Sequence, residues 1–316
     1  MPDTPRVHLL IPTHVTRHLG ACLASIALQT RPPDSVTLTT DGHGADGSIA
    51  ELIAELWPRV ASSARDAGRE PPPLVHTARD HQGEPRLNQV RNNGLRAIEA
   101  CFDPRPQDLV LVLDGDTLLA PETVAQHAAH AERGAELVIP YRFELDPAQT
   151  GRVRTDALLD PRLGPALVRS LATRPQRVAL GRRHARYVAQ HAGRRFGLGD
   201  LGMLKPHKPK TIGGHHAVGV RALRDVNGYD ERYQGSGFDD DDLSRRLHAL
   251  RPRLRLTVAV RGTHAYHLYH ETRRPHAITA APDYRLFQEP WSVTAAHGWR
   301  TPRPQPEPTV RWVPAS

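Results

Sequence analysis

Asp114 and Asp116 stand one residue apart with Gly115 between them, directly after the apolar run of residues 108–113, DLVLVL. Two carboxylates in that spacing suit a hard divalent cation held partly by protein and partly by phosphate oxygens. The glycine lets a ligand come close to the backbone. Two further groups could do chemistry. Asp239, Asp240, Asp241 and Asp242 follow a glycine loop, Gly235-Ser236-Gly237-Phe238, and His264, His267 and His270 recur at every third position within residues 264–270. Four carboxylates at a helix start complement its dipole and caps, but they are more than a cap needs. A lone Asp-Gly-Asp also reads as a turn leaving a strand, and a lone histidine as a packed polar group, so the surrounding elements must decide.

Those elements alternate. The branched run before Asp114 is what a strand buried on both faces of a parallel sheet looks like. In open α/β sheets, ligands bind beyond the carboxyl ends of the strands, where Asp114 and Asp116 fall. Upstream, residues 7–11 read as a strand ended by Pro12-Thr13, and residues 20–29 as a helix broken by Pro32-Pro33. Residues 35–40 alternate as a second strand that ends at Asp41 in a glycine-rich loop. A helix over 49–60, a short strand at 74–76 and a helix over 89–100 follow. Strand and helix in turn predict a doubly wound, mostly parallel sheet with crossovers. Downstream, 121–133 reads as a helix and 135–140 as a strand; after residues 146–210 an ordered pattern returns over 211–220, with Gly213-Gly214-His215-His216, and 254–260 reads as a strand.

The 316 residues suffice for a large α/β domain, and the two cysteines, Cys22 and Cys101, fall in helical segments, which excludes a disulfide framework. No charged-then-apolar leader opens the chain and no apolar run reaches membrane-spanning length, so a cytoplasmic setting is expected. The formal charge of +8 is local: residues 174–210 hold ten Lys/Arg and one acid, Asp200, for +9, while the other 32 basic and 33 acidic residues nearly cancel. Part of that is an Arg-rich composition, yet the patch, with Arg182, Arg183, Arg186, Arg194 and Arg195 at its centre, favours an anionic partner. Residues 146–210 are poor in apolar periodicity and rich in glycine, and read as a basic insertion or lid. The alternate prolines from Pro302 to Pro308 predict a disordered tail over 296–316.

Taken in order, several stretches resemble the GT-A-fold nucleotide-sugar glycosyltransferases, specifically glycosyltransferase family 2 with a galactosyltransferase-like carboxyl-terminal segment. Residues 7–42 look like its opening strand-helix-strand, VRNNGL resembles its A-R-N-x-G-L stretch, and LVLDGDT its D-x-D strand. The span GGHHAVGVRALRDVNGYDERYQGSGFDDDDL is similar to its glycine-rich acceptor segment, and AYHLYH to its V-Y-H-L-W-H. The matches cover roughly residues 7–270.

The resemblance implies a nucleotide-sugar half over residues 1–145, the basic insertion, and an acceptor, catalytic-base and metal half over 211–295. Pro12, Thr13 and Asp41 would hold the nucleoside, Arg91 and Asn92 would contact the nucleotide, and Asp114 and Gly115 would face the ribose or sugar. Asp116 and a histidine, His267 ahead of His264 and His270, would ligate Mn2+ or Mg2+; a carboxylate, a neutral imidazole and diphosphate oxygens suit such an ion, Mn2+ better tolerating nitrogen. Asp240 would be the base that takes the acceptor proton, with Asp239 in place of the family's usual Glu. Gly214, His215, Gly237 and Phe238 would line the acceptor or sugar pocket, and Ser236 and Phe238 depart from the commoner residues there. The expected reaction moves a hexose, with inversion, from a nucleoside diphosphate sugar, UDP-sugars favoured, to a hydroxyl. The basic patch extends that expectation to an anionic acceptor, such as hydroxymethylated DNA, a phospholipid or an acidic glycan, and to peripheral membrane contact.

Three other classes stay open at this level. A sugar nucleotidyltransferase would share the sheet and metal Asp but calls for a glycine-rich phosphate loop where this chain has Pro12-Thr13-His14-Val15. A nucleic-acid-binding module would account for the patch but leave Asp114, Asp116 and Asp240 without a role. A catalytically dead glycan-binding relative would be expected to lack one of those carboxylates.

Overall fold

The structure is a computed structural model that describes residues 4–41, 45–81, 83, 86–199, 201–211, 213–234, 237–250, 254–271, 279, 281 and 283–315. The loop glycines Gly42 and Gly44, Asp200, Gly235 and Ser236 lie outside the described residues.

The first half runs as the sequence pattern predicts. Strands β1 (Val7–Thr13), β2 (Ser35–Asp41), β3 (Leu74–Arg79) and β4 (Leu109–Leu113) alternate with helices α1 (Leu19–Ala27), α2 (Ala45–Asp66) and α3 (Leu87–Phe102). Then come β5 (Thr117–Leu119), α4 (Thr123–Glu132), β6 (Leu137–Ile139), β7 (Tyr141–Glu144) and a helical stretch of α5 (Pro147–Gly151), α6 (Thr155–Leu159), α7 (Leu163–Ser170) and α8 (Arg174–Arg195). The rest comprises β8 (His215–Gly219), α9 (Val220–Asp225), α10 (Asp239–Ala249), β9 (Leu256–Val258), β10 (His264–His267), α11 (Tyr284–Gln288) and β11 (Thr309–Val313).

Eight strands form one sheet in the order β11-β3-β2-β1-β4-β8-β6-β9. Its centre, β3-β2-β1-β4, is parallel; β8 lies antiparallel between β4 and β6, and so joins residues from both halves of the chain in one sheet. Strand alternation sorts the core onto the two faces: Leu10, Val110 and Val112 pack with α3 and α10 residues, while Leu9, Ile11, Leu109 and Leu111 pack with α2 and α4. Each central strand is apolar on both faces because helices cover both. The α/β, doubly wound class expected from the sequence is the class observed.

A second sheet, β5-β10-β7, was not foreseen. β10 runs antiparallel to β5 and parallel to β7, pairing His267 with Thr117 on one side and Glu144 on the other. This small sheet carries the histidine segment back to the end of β4.

Two expectations are corrected. The proline-rich terminus is not an unattached tail: β11 pairs antiparallel with β3, Trp312 opposite Val75. Without it, β3 would be an edge strand with open backbone donors and acceptors, and the paired residues fall between Pro308 and Pro314, so that no proline interrupts them. Residues 146–210, read as poor in apolar periodicity, are mostly helical, and Leu158, Val168, Leu171, Leu180 and Tyr187 bury into the core. α8 begins with a capping box between Thr173 and Gln176.

Candidate functional site

The sharp turn after β4 is built by glycine. A Cβ on Gly115 would lie 2.8 Å from the Thr13 side chain, so only glycine lets this turn close against β1. Backbone bonds pin it: Asp114 N–H to Gly214 O (3.1 Å), Gly115 N–H to Pro12 O (3.3 Å) and Leu268 N–H to Asp116 O (2.9 Å). Beside the turn lies a cleft of about 150 Å³ whose walls include Pro12, Thr13, Asp41, Asp114, Gly115 and Asp116. Six of the residues expected at a donor site thus meet at one sheet edge. Asp41 enters it with its carboxylate already engaged by Arg79 in a two-pronged pair (3.0 and 2.6 Å) and by the Arg86 N–H at 2.8 Å.

At the outer end of the cleft, Asp116 Oδ2 lies 3.0 Å from His270 Nε2 and 3.4 Å from His267 Nε2. One ligand atom from each of the three lies within 4.8 Å of the others. The sequence favoured a single histidine; the structure brings two. His264 is excluded by strand alternation, since it projects to the other face of β10, against Phe143 and Tyr266. His267 Nδ1 faces Glu144 Oε2 at 2.7 Å. A carboxylate behind an imidazole fixes its tautomer and turns the other nitrogen outward, as at metal sites, so this donor set fits a divalent cation. Burial alone would lower the His267 pKa, but the Asp116 and Glu144 carboxylates overcome it and raise it to about 9. Burial likewise works to raise Asp116, yet its hydrogen bond and charge interaction with His267 bring it down to about 2.

Asp114 is set apart. Burial and the charge of Asp116 push its pKa up, and Arg142 Nη1 stands 3.7 Å from its Oδ2. Gly214 is what allows the pair to sit there: a Cβ would run into both the Arg142 guanidinium and the Asp114 carboxylate. A Cβ on the neighbouring Gly213 would strike the Asp240 carboxylate. The two glycines therefore separate Asp114 from Asp240 by little more than a stretch of backbone.

The four aspartates of α10 divide into distinct surroundings. Asp239 Oδ2 accepts from Arg91 Nη1 at 2.8 Å, and its Oδ1 from Gly237 N–H at 3.2 Å. Asp241 pairs with Lys210 at 2.9 Å, and Asp242 accepts from Arg245 and Arg246 inside the core. Asp240 differs: its Oδ1 is buried without a hydrogen-bond donor, and the nearest cation, Arg91 Nη1, is 3.8 Å away. Burial, then the charge of Asp239, raise its pKa to about 7. That is the range of a general base at neutral pH.

Three expected contacts, at Arg91, Asn92 and His215, are corrected. Arg91 is buried, donating to Asp239 and to Gly213 O, so it braces the carboxylates and does not line the cleft. Asn92 is fully buried; its amide donates to Tyr229 O and Glu231 Oε1 and accepts from Tyr229 N–H, which leaves nothing for a nucleotide. His215 is buried edge-on to His127 with Nδ1 3.2 Å from Tyr141 O, and His216 is buried against the Tyr229 hydroxyl at 2.7 Å, so neither lines a sugar pocket. Gly237 and Phe238 do flank Asp239. Both have positive φ (104° and 65°), and the Phe238 ring packs on Tyr284 and Phe287.

Comparison with known proteins bears on the second half of this site. Residues 201–271 match the family described as the N-terminal domain of galactosyltransferase. That stretch holds Gly213, Gly214, Asp239, Asp240, His267 and His270, the residues just placed at the base and metal ends, and it is where the sequence resemblance was drawn. No curated protein matches the chain. Among solved structures, the mannosyltransferase PcManGT from Pyrobaculum calidifontis in complex with GDP-Man and Mn2+ is 16% identical over 84% of this chain, with a TM-score of 0.46. S. aureus TarS 1-349 in complex with UDP-GlcNAc is 10% identical over 89% of it (TM-score 0.47), and GalNAc-T7 with UDP, GalNAc and Mn2+ is 13% identical over 85% (TM-score 0.48). The chain spans 58%, 64% and 45% of their respective lengths. Likeness at that level places no individual residue.

Sequence reasoning missed Arg142, Glu144 and Arg79. The first two lie on β7, a strand of four residues bounded by Pro140 and Asp146 that carries no long apolar run. The Tyr-Arg-Phe-Glu alternation was its only signal.

Proposed function

We propose that this chain is a divalent-metal-dependent glycosyltransferase of GT-A type that moves a hexose from a nucleoside diphosphate sugar to an acceptor hydroxyl. The observation that carries this reading is that one sheet edge holds both the Asp116, His267 and His270 group and, beyond Asp114 and Gly213-Gly214, Asp240, a partly buried carboxylate near the ionisation midpoint at neutral pH. The donor nucleoside would occupy the cleft beside Thr13 and Asp41, and its diphosphate would point toward Asp116. A divalent cation held by Asp116, His267 and His270 would neutralise the charge that develops on the leaving diphosphate. Two nitrogen ligands favour Mn2+ over Mg2+. Arg142 adds a fixed positive charge beside Asp114, where the sugar would lie.

Asp240 takes the proton of the attacking hydroxyl. Its Oδ1 lacks a donor, so accepting a proton breaks no hydrogen bond of that oxygen, and Arg91 at 3.8 Å steadies the ionised form between turnovers. Attack from the Asp240 side, opposite the diphosphate, inverts the anomeric carbon. The matching of residues 201–271 to a galactosyltransferase family supports the acceptor half of this reading.

The decisive test is thermal stabilisation by UDP-, GDP-, dTDP- and CMP-sugars with and without Mn2+, on the parent and on Asp116→Ala. A metal-dependent shift with one nucleotide, abolished by Asp116→Ala, is expected. No shift with any of them would overturn the proposal.

A further inference from the structure

The outer face of α8 is apolar where a merely solvated helix would be polar. Leu180 and Tyr187 turn inward, yet the opposite side presents Val178, Ala185, Val188, Ala189 and Phe196, residues spaced to fall along one stripe, with Arg182, Arg186 and Arg195 exposed along its flanks. Beyond the helix the chain winds into a tip held by Leu198 N–H to Gly193 O and Met203 N–H to Leu198 O, both 3.0 Å. Inside that tip, Leu198 and Leu204 close on Gly193. Its outward residues do the reverse: Phe196, Leu201 and Met203 are 83%, 73% and 69% exposed. Residues 174–210 hold ten Lys/Arg against one acid, Asp200, which lies outside the described residues, and Arg194 staples the tip to the carbonyls of Lys205, Pro206 and Lys208.

We propose that the outer face of α8 and the tip at residues 196–199 and 201–204 dock on an anionic lipid bilayer, with Phe196, Leu201 and Met203 entering the headgroup boundary and the arginines meeting lipid phosphates. Protruding apolar side chains beside a strongly basic field match the chemistry of such an interface. A nucleic-acid backbone would be met by the arginines alone and gains nothing from Leu201 and Met203. The tip runs on through residues 205–209 to Lys210, which pairs with Asp241, the neighbour of Asp240. A docked surface is therefore continuous with the base end of the cleft. The docking itself does not depend on the glycosyl-transfer reading.

The test is co-sedimentation of the full chain with vesicles of phosphatidylcholine and phosphatidylglycerol, against vesicles of phosphatidylcholine alone. Binding to the anionic vesicles only is expected. The triple change Phe196→Ser, Leu201→Ser, Met203→Ser should weaken it about tenfold or more with an unchanged melting temperature, and Arg182→Glu, Arg186→Glu, Arg195→Glu should abolish it. Failure of the parent to bind anionic vesicles would overturn the proposal. So would unchanged vesicle binding by the serine variant, or binding to duplex DNA that displaces the vesicles and is untouched by the serine changes; either result would mark a purely electrostatic face.

Discussion

Glu144 Oε2 stands 2.7 Å from His267 Nδ1, on the side of the ring away from Asp116. Parallel pairing of β7 with β10 places the two residues opposite each other, so the contact is built by the small sheet rather than by a flexible loop. Glu144 is itself 56% exposed, and its removal should cost little stability. Its effect should fall on metal affinity. Glu144→Ala is expected to weaken Mn2+ binding about 10- to 100-fold while the melting temperature of the metal-free protein moves little. Titration of Mn2+ followed by thermal shift or calorimetry reads this directly, and an unchanged affinity would show that Glu144 does not orient the ring for a cation.

A second expectation follows from the same imidazole. With its pKa raised to about 9 by Asp116 and Glu144 against the opposing effect of burial, His267 is protonated in the metal-free protein at neutral pH. A cation must displace that proton, so apparent Mn2+ affinity should climb with pH, approaching about tenfold per unit, up to pH about 9. Stability of the metal-free protein has the opposite sign. A group whose folded pKa is raised stabilises fully below its unfolded value of 6.5, and that contribution is lost as pH rises toward 9. Melting curves with and without Mn2+ across this window should therefore converge at low pH and separate at high pH.

Asp240 gives the catalytic counterpart. Its pKa, raised to about 7 by burial and by Asp239, means that kcat/KM for transfer should rise with pH through about 7 and then level. Asp240→Asn should lose about 10²–10⁴-fold in turnover while the nucleotide-induced thermal shift persists. Here too the linkage can be worked out. The folded protein binds a proton that the unfolded chain, with a pKa of 3.8, has released, so this group's contribution to stability falls as pH rises from about 4 to 7. Asp240→Asn should thus be more stable than the parent above pH 7, by about 1 kcal/mol or more. Gain of stability with loss of turnover is the signature of a strained functional group; loss of both would make Asp240 a structural residue.

How much of this was legible in the sequence depends on how local the signal was. Asp114, Gly115 and Asp116 could be placed because a five-residue apolar strand ends at them, and a buried parallel strand writes its burial into every residue. His267 and His270 were harder. Spacing by threes suggests a helix, yet the first two sit in and at the end of a strand and the third lies beyond it, and only the hidden β7–β10 pairing reveals that His264 faces away. Asn92 was expected at the nucleotide only through the family resemblance; its partners Tyr229 and Glu231 come from 137 and 139 residues away, a distance over which pattern carries nothing. The terminal strand β11 was masked by the prolines before it, which do mark an extended chain but say nothing of what that chain pairs with.

Arg91 is where the fold and the proposed chemistry depend on one side chain. It is buried, and its guanidinium reaches Asp239 at 2.8 Å, Asp240 at 3.8 Å and the Gly213 carbonyl at 3.0 Å. Burial opposes its charge, but the two carboxylates outweigh that and hold it protonated. Arg91→Ala would leave the buried Asp239 and the partly buried Asp240 without their cation, and removal of one partner from a buried ion pair typically costs about 3–5 kcal/mol. Urea denaturation should show that loss at neutral pH. It should shrink as pH falls through about 7 toward 4, because Asp240 can then take up a proton instead of standing as an uncompensated charge. Arg91→Lys keeps a cation but not the fork that bridges Asp239 and Gly213, and should recover part of the stability while the pH profile of turnover shifts to higher values, because the shorter reach of a single ammonium drawn to Asp239 leaves the positive charge farther from Asp240. A stability loss that stays constant from pH 4 to 8 would mean that Arg91 acts through packing alone, and the electrostatic account of Asp240 would fall with it.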